Sequence, residues 1–587
     1  MSPEELQHLR HSGAHLLAAS VLELYPEALL TIGPAIEHGF YYDIDFSRVG
    51  DGSMALSVDD LPKVEQKMKE LVKTWESFSH KEVSVEEARE IYTDNPYKLE
   101  LIEEIHAKGE TITLYTVGTF TDLCRGGHVE APKQALRVFK LMSVAGAYWR
   151  GDEKNPMLTR IYGIAFETKE DMKAHLDLLE EAKKRDHRKI GQEQKLFFID
   201  DMVGKGLVMW LPNGTIIRDE IERLAREKEA EGGYQRVVTP VIAKQELFLT
   251  SGHLPYYEDG MYPKMEMDDG VYYMKAMNCP HHHRMYQYEP HSYRELPIRF
   301  AEYGTVYRNE LSGTLAGLLR VRGLAMNDAH IYCQKETIKE EFTAVMRLTM
   351  EYFRIFGLEN YWFRLSKWSP EHTDKYINEP ENWEYSQSVL REVLQDMGVE
   401  FTEVDDEAAF YGPKVDVQFR SVIGREETMS TIQLDFLAKS RFGLVYTDET
   451  GAENNDVFVI HRAPLSVHER FLAFLIEHYA GIWPVWLAPV QVHIVPVSEK
   501  HLDGARALMK EFVSVGIRVA IDEADETVGK KIRNATKGKP PYILVVGDKE
   551  LSGEDLMVRV RGQEEQISLS KDMFVERVTK EIAERSL

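Results

Sequence analysis

One hydrophobic core cannot hold 587 residues, because surface-to-volume scaling splits chains of this size into about three or four domains. The residue pattern changes where such boundaries belong. From residue 3 to about 24, Leu6, Leu9, Leu16, Leu17 and Val21 recur near helical spacing. After Gly33-Pro34 comes GFYYDIDF, whose aromatic residues favour a strand. Helices at roughly 60–75 and 85–105, with short strands around 112–116, complete a first α+β unit. The charged run KEDMKAHLDLLEEAKKRDHRKIGQEQK follows, amphipathic at first and then almost wholly polar, so its end reads as a linker. A second unit, from about 197 to 486, mixes helices with the strand-like VYYMKA, IRFAEYGTVY, KVDVQFR and DVFVIHR. From Val490 the strands VQVHIVPV, IRVAID and YILVVG alternate with helical stretches, the pattern of a small α/β domain with a mostly parallel sheet.

Composition narrows the class. Hydrophobic residues at 43% and charged residues at 29% supply an ordinary globular core. The longest apolar stretches, Phe471 to Ile476 and Ile482 to Val490, stop well short of a bilayer span. The polar, acidic start MSPEELQHLR is unlike a secretory signal, and three dispersed cysteines, Cys124, Cys279 and Cys333, make no disulfide framework. A cytoplasmic, reducing setting is expected. The formal charge of -26 argues against a nonspecific nucleic-acid coat but leaves room for an RNA met at local basic faces.

Several residues carry possible chemistry. His11 and His15 in HSGAH are four apart and share a helix face, while Cys124 and His128 in CRGGH repeat the spacing on a glycine loop. Together they could be a four-ligand zinc set, or each could be an isolated polar residue. In the middle unit, Cys279 in MNCPHHH, His330 in NDAHIYC and His461 in VIHRAPLS are too far apart for spacing to unite them, and Cys333 is equally available. A three-ligand site there would leave zinc an open position for a substrate. Arg299, Arg308, Arg320 and Arg322 crowd a stretch with Glu302, Glu310 and Asp328, which fits phosphate or carboxylate binding as well as a salt-bridged surface. Arg470 stands just before the apolar FLAFLIEHY, so its charge is expected to face a site. Neither a P-loop nor a Rossmann fingerprint is present to explain the arginines.

MNCPHHH, YRNELSGTLAGLLRVRG, NDAHIYC, FYGPKVDV, TIQLDF and VIHRAPLSVHERF together resemble the threonyl-tRNA synthetases, and GFYYD, DLCRGGH, AGAYWRGD, KKRDH, VVGDKE and VRVRG extend the likeness over nearly the whole chain. The resemblance implies an α+β editing domain (1–184), a linker helix (185–196), a class II catalytic domain with an antiparallel sheet (197–487) and a small α/β anticodon-binding domain (488–587). It implies a homodimer with Pro240 at the interface, and partners tRNA(Thr), threonine and ATP with Mg²⁺. Arg308 would hold the α-phosphate, Arg320 and Arg470 the γ-phosphate end, and Glu310 would lie by the adenine. Cys279, His330 and His461 become ligands of one zinc that takes the amino and hydroxyl groups of threonine, with Asp328 accepting from the hydroxyl. Tyr411, Lys414 and Gln433 fall in the substrate pocket, and His253 is tied to transfer onto tRNA.

This assignment has a physical rationale. Valine is nearly isosteric with threonine, and only a site that engages the hydroxyl rejects it strongly. Serine keeps that hydroxyl and lacks a methyl, worth about 1–3 kcal/mol, so a second sieve is needed. By resemblance His11, His15, Cys124 and His128, helped by Tyr42, Lys98 and Asp122, hydrolyse seryl-tRNA with an ordered water and no metal, while Glu550 and Arg559 read anticodon bases. Set against the family, the sequence is expected to begin directly at the editing helix without a ubiquitin-like domain, and it differs at Gly127, Met326, the ETMST segment and KGKPPY. Two rival readings are a stand-alone deacylase and a noncatalytic tRNA-binding regulator. Decay of the synthetic half would be expected to damage Cys279, His330, His461, Arg308 or Arg470, all of which stand.

Overall fold

Ser2 opens helix α1 (Pro3–Leu24) with a capping box: its hydroxyl accepts from Glu5 N at 3.2 Å, and the Glu5 carboxylate takes Ser2 N at 2.6 Å. Leu9, Leu16, Leu17 and Val21 are buried on this helix, which packs against β1 (Gly39–Asp45). The expected helix over 85–105 is two helices, Val85–Ile91 and α2 (Pro96–Ala107). Asn95 and Pro96 divide them, because the residue before a proline is pushed out of helical conformation. Asn95 then caps α2 by accepting from Tyr97 N and Lys98 N. Strands β2 (Ile112–Val117) and β3 (Phe120–Leu123) form an antiparallel hairpin, while β4 (Phe139–Tyr148) and β5 (Met157–Ala165) join β1 in a second antiparallel sheet. The structure is a computed model that describes residues 1–50, 56–372, 375–421, 424 and 426–587. Its contacts divide it into two units, Met1–Glu180 and Glu181–Leu587.

The polar end of the charged run is folded. Asp186 caps helix His187–Glu193, and His187 bridges Glu477 Oε1 (2.7 Å) and the Leu318 amide (3.1 Å). The second unit continues with α3 (Pro212–Glu231), β6 (Gln235–Arg236), α4 (Cys279–Tyr286), β7 (Ile298–Tyr307), β8 (Gly323–Gln334), α5 (Ile338–Ile355), β9 (Tyr361–Ser366), β10 (Phe401–Val404), β11 (Lys414–Arg420), β12 (Glu426–Asp435), β13 (Val457–Arg462) and α6 (His468–Tyr479). Eight of these strands make one sheet in the order β6-β7-β8-β13-β12-β11-β9-β10, antiparallel except for the two edge pairs. Helices α5 and α6 pack on β8, and side-chain alternation sends Ile331 and Cys333 of β8 into that core. Cys333 therefore points away from the face that carries Asp328 and His330, and it drops out as a rival zinc ligand.

The last five strands, β14 (Val492–Pro496), β15 (Val519–Ile521), β16 (Tyr542–Val546), β17 (Leu556–Val560) and β18 (Gln566–Leu569), form a sheet in the order β15-β14-β16-β17-β18. It is mixed rather than mostly parallel. The pairs around β14 are parallel, whereas β16, β17 and β18 run antiparallel. The links after β16 and β17 are too short for the crossover a parallel neighbour requires.

Candidate functional site

Register assembles the site of the second unit. Across β7, β8, β13, β12 and β11, Phe300, His330, His461, Gln433 and Lys414 stand directly opposite one another in one row. Opposed residues present their side chains to the same face, and Asp328, two residues before His330, shares it. This row unites residues that sequence spacing could not. A cavity of about 470 Å³ is lined by Cys279 at the start of α4, by His253, Arg308, Asp328, His330, Tyr411, Gln433 and His461, and by Arg470 in the first turn of α6.

Within it, His330 Nε2 and His461 Nδ1 face each other at 3.2 Å, and Asp328 Oδ1 lies 2.9 Å from His461 Nδ1. Two nitrogens on one tetrahedral zinc stand about 3.3 Å apart, so this donor set fits the ion. The tightest trio, with ligand atoms all within 4.8 Å of one another, is Asp328, His330 and His461; Cys279 lines the same cavity. Burial holds the His330 imidazole well below its ordinary pKa, as a neutral ligand must be. Burial alone would raise the Asp328 carboxyl, but neighbouring His461, 2.9 Å from Oδ1, outweighs it and holds the carboxyl below its ordinary value. Burial also pushes the Cys279 thiol up, with Asp328 and Asp435 adding to the effect, so a cation would be needed to hold its thiolate.

The other pocket residues divide. Tyr411 donates to Gln433 Oε1, and Asn278 Nδ2 donates to Asp328 Oδ2 at 3.0 Å. Arg308 Nε donates to Ala276 O at 3.3 Å and Arg470 Nε to Leu319 O at 3.2 Å. Met326 lies against Arg308, its sulfur 3.9 Å from Nη2, and Thr428 to Thr431 of the ETMST segment form part of the wall. His253 is buried with Nδ1 2.8 Å from Ser251 Oγ, and burial with nearby Arg441 and Arg308 lowers it to about 4. Gly252 before it has φ +78, and a Cβ there would strike the Arg441 guanidinium. Arg320 and Glu310 lie outside this lining and pair with each other at 2.8 Å. Lys414 also lies outside it and pairs with buried Asp416 at 3.0 Å. Buried residues to which sequence reasoning gave no role of their own include His282, Glu302 and Lys275. The run of histidines in MNCPHHH was the available signal for His282.

The first unit gathers a second set. His11 Nε2 and His128 Nε2 lie 3.6 and 3.3 Å from Cys124 Sγ, and His15 completes a group whose ligand atoms are within 4.8 Å of one another. His11 Nδ1 is 3.3 Å from Gly127 O and His128 Nδ1 is 3.4 Å from Ser12 Oγ, which leaves both Nε2 atoms toward the sulfur. An adjoining cavity of about 430 Å³ is lined by His11, His15, Tyr42, Lys98, Asp122 and Cys124. Buried Asp122 accepts from Tyr42 at 2.6 Å and pairs with Lys98 Nζ at 2.5 Å. Burial lowers His128 to about 2 and raises Cys124 to about 11. The cysteine is therefore a neutral thiol near pH 7, poorly suited to nucleophilic attack. Gly127 has φ +81, a conformation closed to proline, whose ring fixes φ near -65°.

In the last sheet, Glu550 accepts from Gly547 N at 2.9 Å and so caps its own short helix Asp548–Leu551. Arg559 lies on β17, and its Nε is buried without a partner among the described residues. The two are not linked to each other by a hydrogen bond. No helix among the described residues is long and apolar enough to cross a membrane.

Residues 264–479 match the model for the tRNA synthetase class II core domain (G, H, P, S and T), 491–581 that for an anticodon binding domain, and 112–162 that for the threonyl and alanyl tRNA synthetase second additional domain. A threonine-tRNA ligase of Anoxybacillus flavithermus is 49% identical over 99% of this chain and 89% of its own length. Threonine-tRNA ligase 1 of Bacillus subtilis is 48% identical over the same shares. Among solved structures, the RNA binding domain of a threonyl-tRNA synthetase from Cryptosporidium parvum matches with a TM-score of 0.64 at 32% identity, covering 67% of this chain and 98% of that one. A prolyl-tRNA synthetase from the same organism, at 15% identity and a TM-score of 0.52 over 68% of this chain and 75% of that one, shares the fold.

Proposed function

The chain belongs to the threonyl-tRNA synthetase family, and from that premise we infer that it activates threonine with ATP, transfers it to tRNA(Thr) and hydrolyses mischarged seryl-tRNA(Thr). The observation that carries this reading is the row of His330, His461 and Gln433 on one sheet face, with Asp328, Arg308 and Arg470 in the same cavity. Residues 1–184 are the editing domain, 185–196 the linker helix, 197–487 the catalytic domain and 488–587 the anticodon-binding domain.

In activation the threonine carboxylate forms a bond to the ATP α-phosphorus and pyrophosphate leaves. Both reactants are anionic, so fixed positive charge must offset their repulsion and stabilise the transition state. Arg308 meets the α-phosphate, Arg470 and Arg320 the γ-phosphate end, and Glu310 the adenine, with Mg²⁺ arriving on ATP. Cys279, His330 and His461 would hold Zn²⁺, which supplies a Lewis acid for the amino and hydroxyl groups of threonine. Asp328, kept ionised, accepts from the threonine hydroxyl, and Tyr411 with Gln433 orients the amino acid. Valine keeps the amino group but has no hydroxyl to give Asp328 and the metal, so its rejection is strong. Lys414 acts on the pocket through Asp416. His253, neutral at physiological pH, is available to accept a proton as the ribose hydroxyl attacks the adenylate.

In editing, His11, His15 and His128 are neutral imidazoles around a neutral thiol, an arrangement suited to ordering one water against the seryl ester without a metal. Lys98 and Asp122, paired directly and both bonded to Tyr42, fix the floor of that cavity. Glu550 and Arg559 face the anticodon. Exposed Val238, Val241 and Ile242 flank Pro240, an apolar patch suited to a twofold interface, and sedimentation should return a dimer's mass. Pyrophosphate exchange tests the core reading. Threonine should support exchange and proline should not; exchange with proline alone would overturn the assignment.

A further inference from the structure

His282 and Glu302 lie behind the site, fully buried, and neither reaches the cavity lining. Glu302 Oε1 accepts from the Thr239 amide at 2.7 Å, and its Oε2 accepts from the Thr239 hydroxyl at 2.9 Å. Lys275 Nζ donates to that same hydroxyl at 2.7 Å and stands 3.7 Å from the carboxylate. With a buried ammonium beside it and donors around it, Glu302 acts as an acceptor. His282 Nε2, 3.2 Å from Glu302 Oε2, is then the nitrogen that donates, in the tautomer whose single N–H sits there. Its Nδ1 becomes an acceptor, and the atom facing it at 2.8 Å is His330 Nδ1, which must donate. Each step fixes the next, and the result is a lone pair on His330 Nε2, the atom that faces His461.

We propose that Glu302 and His282 form a positioning relay that locks His330 in the tautomer and ring orientation needed to bind a metal through Nε2. The proposal rests on the zinc reading above. Reversing the relay, with His282 donating from Nδ1, would put the His330 proton on Nε2 and close the ligand. Partners of this kind behind a metal ligand are worth about 10–100-fold in metal affinity.

The test uses the full chain and measures Zn²⁺ affinity by chelator competition, together with the visible absorption of the Co²⁺-loaded protein. His282→Leu should lose about 10–100-fold in affinity and change the Co²⁺ bands. His282→Gln, whose amide both donates and accepts, should recover most of the loss, which a merely structural filling role would not reproduce. Glu302→Gln, nearly isosteric, should fall between them, and it keeps the test open should the leucine variant fail to fold. Retention of parental affinity and spectrum by Glu302→Gln, and by His282→Leu where that variant folds, would overturn the relay, provided His330→Ala loses the metal. If the parent chain takes up no Zn²⁺, or His330→Ala keeps it, the zinc reading falls and the relay with it.

Discussion

Lys98→Met isolates what the buried ion pair of the first unit contributes. The Lys98 and Asp122 side chains are 2% and 3% exposed and meet at 2.5 Å. Methionine preserves most of the volume, so the packing loss should stay below about 1.5 kcal/mol. The larger effect is an orphaned carboxylate. Removing one partner of a buried pair costs about 3–5 kcal/mol, and Asp122 keeps the 2.6 Å bond from Tyr42, so the lower end, about 3 kcal/mol, is expected. Because the chain has two units, one global unfolding free energy is ill defined, and native-state hydrogen exchange of α2 and β3 in the full chain is the appropriate assay. A loss of about 3 kcal/mol accelerates exchange there about 150-fold. Adding Asp122→Asn removes the stranded charge and should restore at least half of the loss. A change under about fivefold for Lys98→Met, or a double variant no better than the single, would refute the reasoning.

The remaining predictions concern activity. Cys124→Ala and His128→Ala should each preserve threonine activation while seryl-tRNA persists; rapid clearance by both would remove the editing assignment. His253 sits near 4 in the fold against 6.5 unperturbed. Its neutral, proton-accepting form therefore persists as pH falls through 6.5 and is lost only near 4. Single-turnover transfer to tRNA should thus stay level from pH 8 to 6 and fall near pH 4–5. A midpoint at 6.5 would contradict the burial argument. The same depressed value means its contribution to stability is complete above pH 6.5 and lost progressively down to about 4, up to roughly 3 kcal/mol. His253→Gln should flatten that slope in pH-dependent exchange measurements.

Local pattern carried much of the fold. Helix α1, the GFYYDID strand and the buried Phe471 to Ile476 of α6 follow directly from spacing and composition. The family motifs identified the chemistry. Sequence alone did not show that His330, His461 and Gln433 would be neighbours, because strand register is a nonlocal property. It also left Cys333 competing with Cys279, a question that one residue of alternation on β8 decides. The mixed final sheet was obscured because a β-rich run reads the same whether its partner is parallel or antiparallel. Glu302 and His282 were hidden among ordinary polar residues, since nothing local marks a carboxylate that acts through a second side chain.

Metal content measured alongside amino-acid activation tests the central claim most directly. Purified chain should hold one Zn²⁺ per subunit outside the editing cluster and support pyrophosphate exchange with threonine and weakly with serine, but not with valine. Removing the metal should abolish threonine exchange, and Zn²⁺ should restore it. An active, zinc-free chain that accepts valine as readily as threonine would contradict the account.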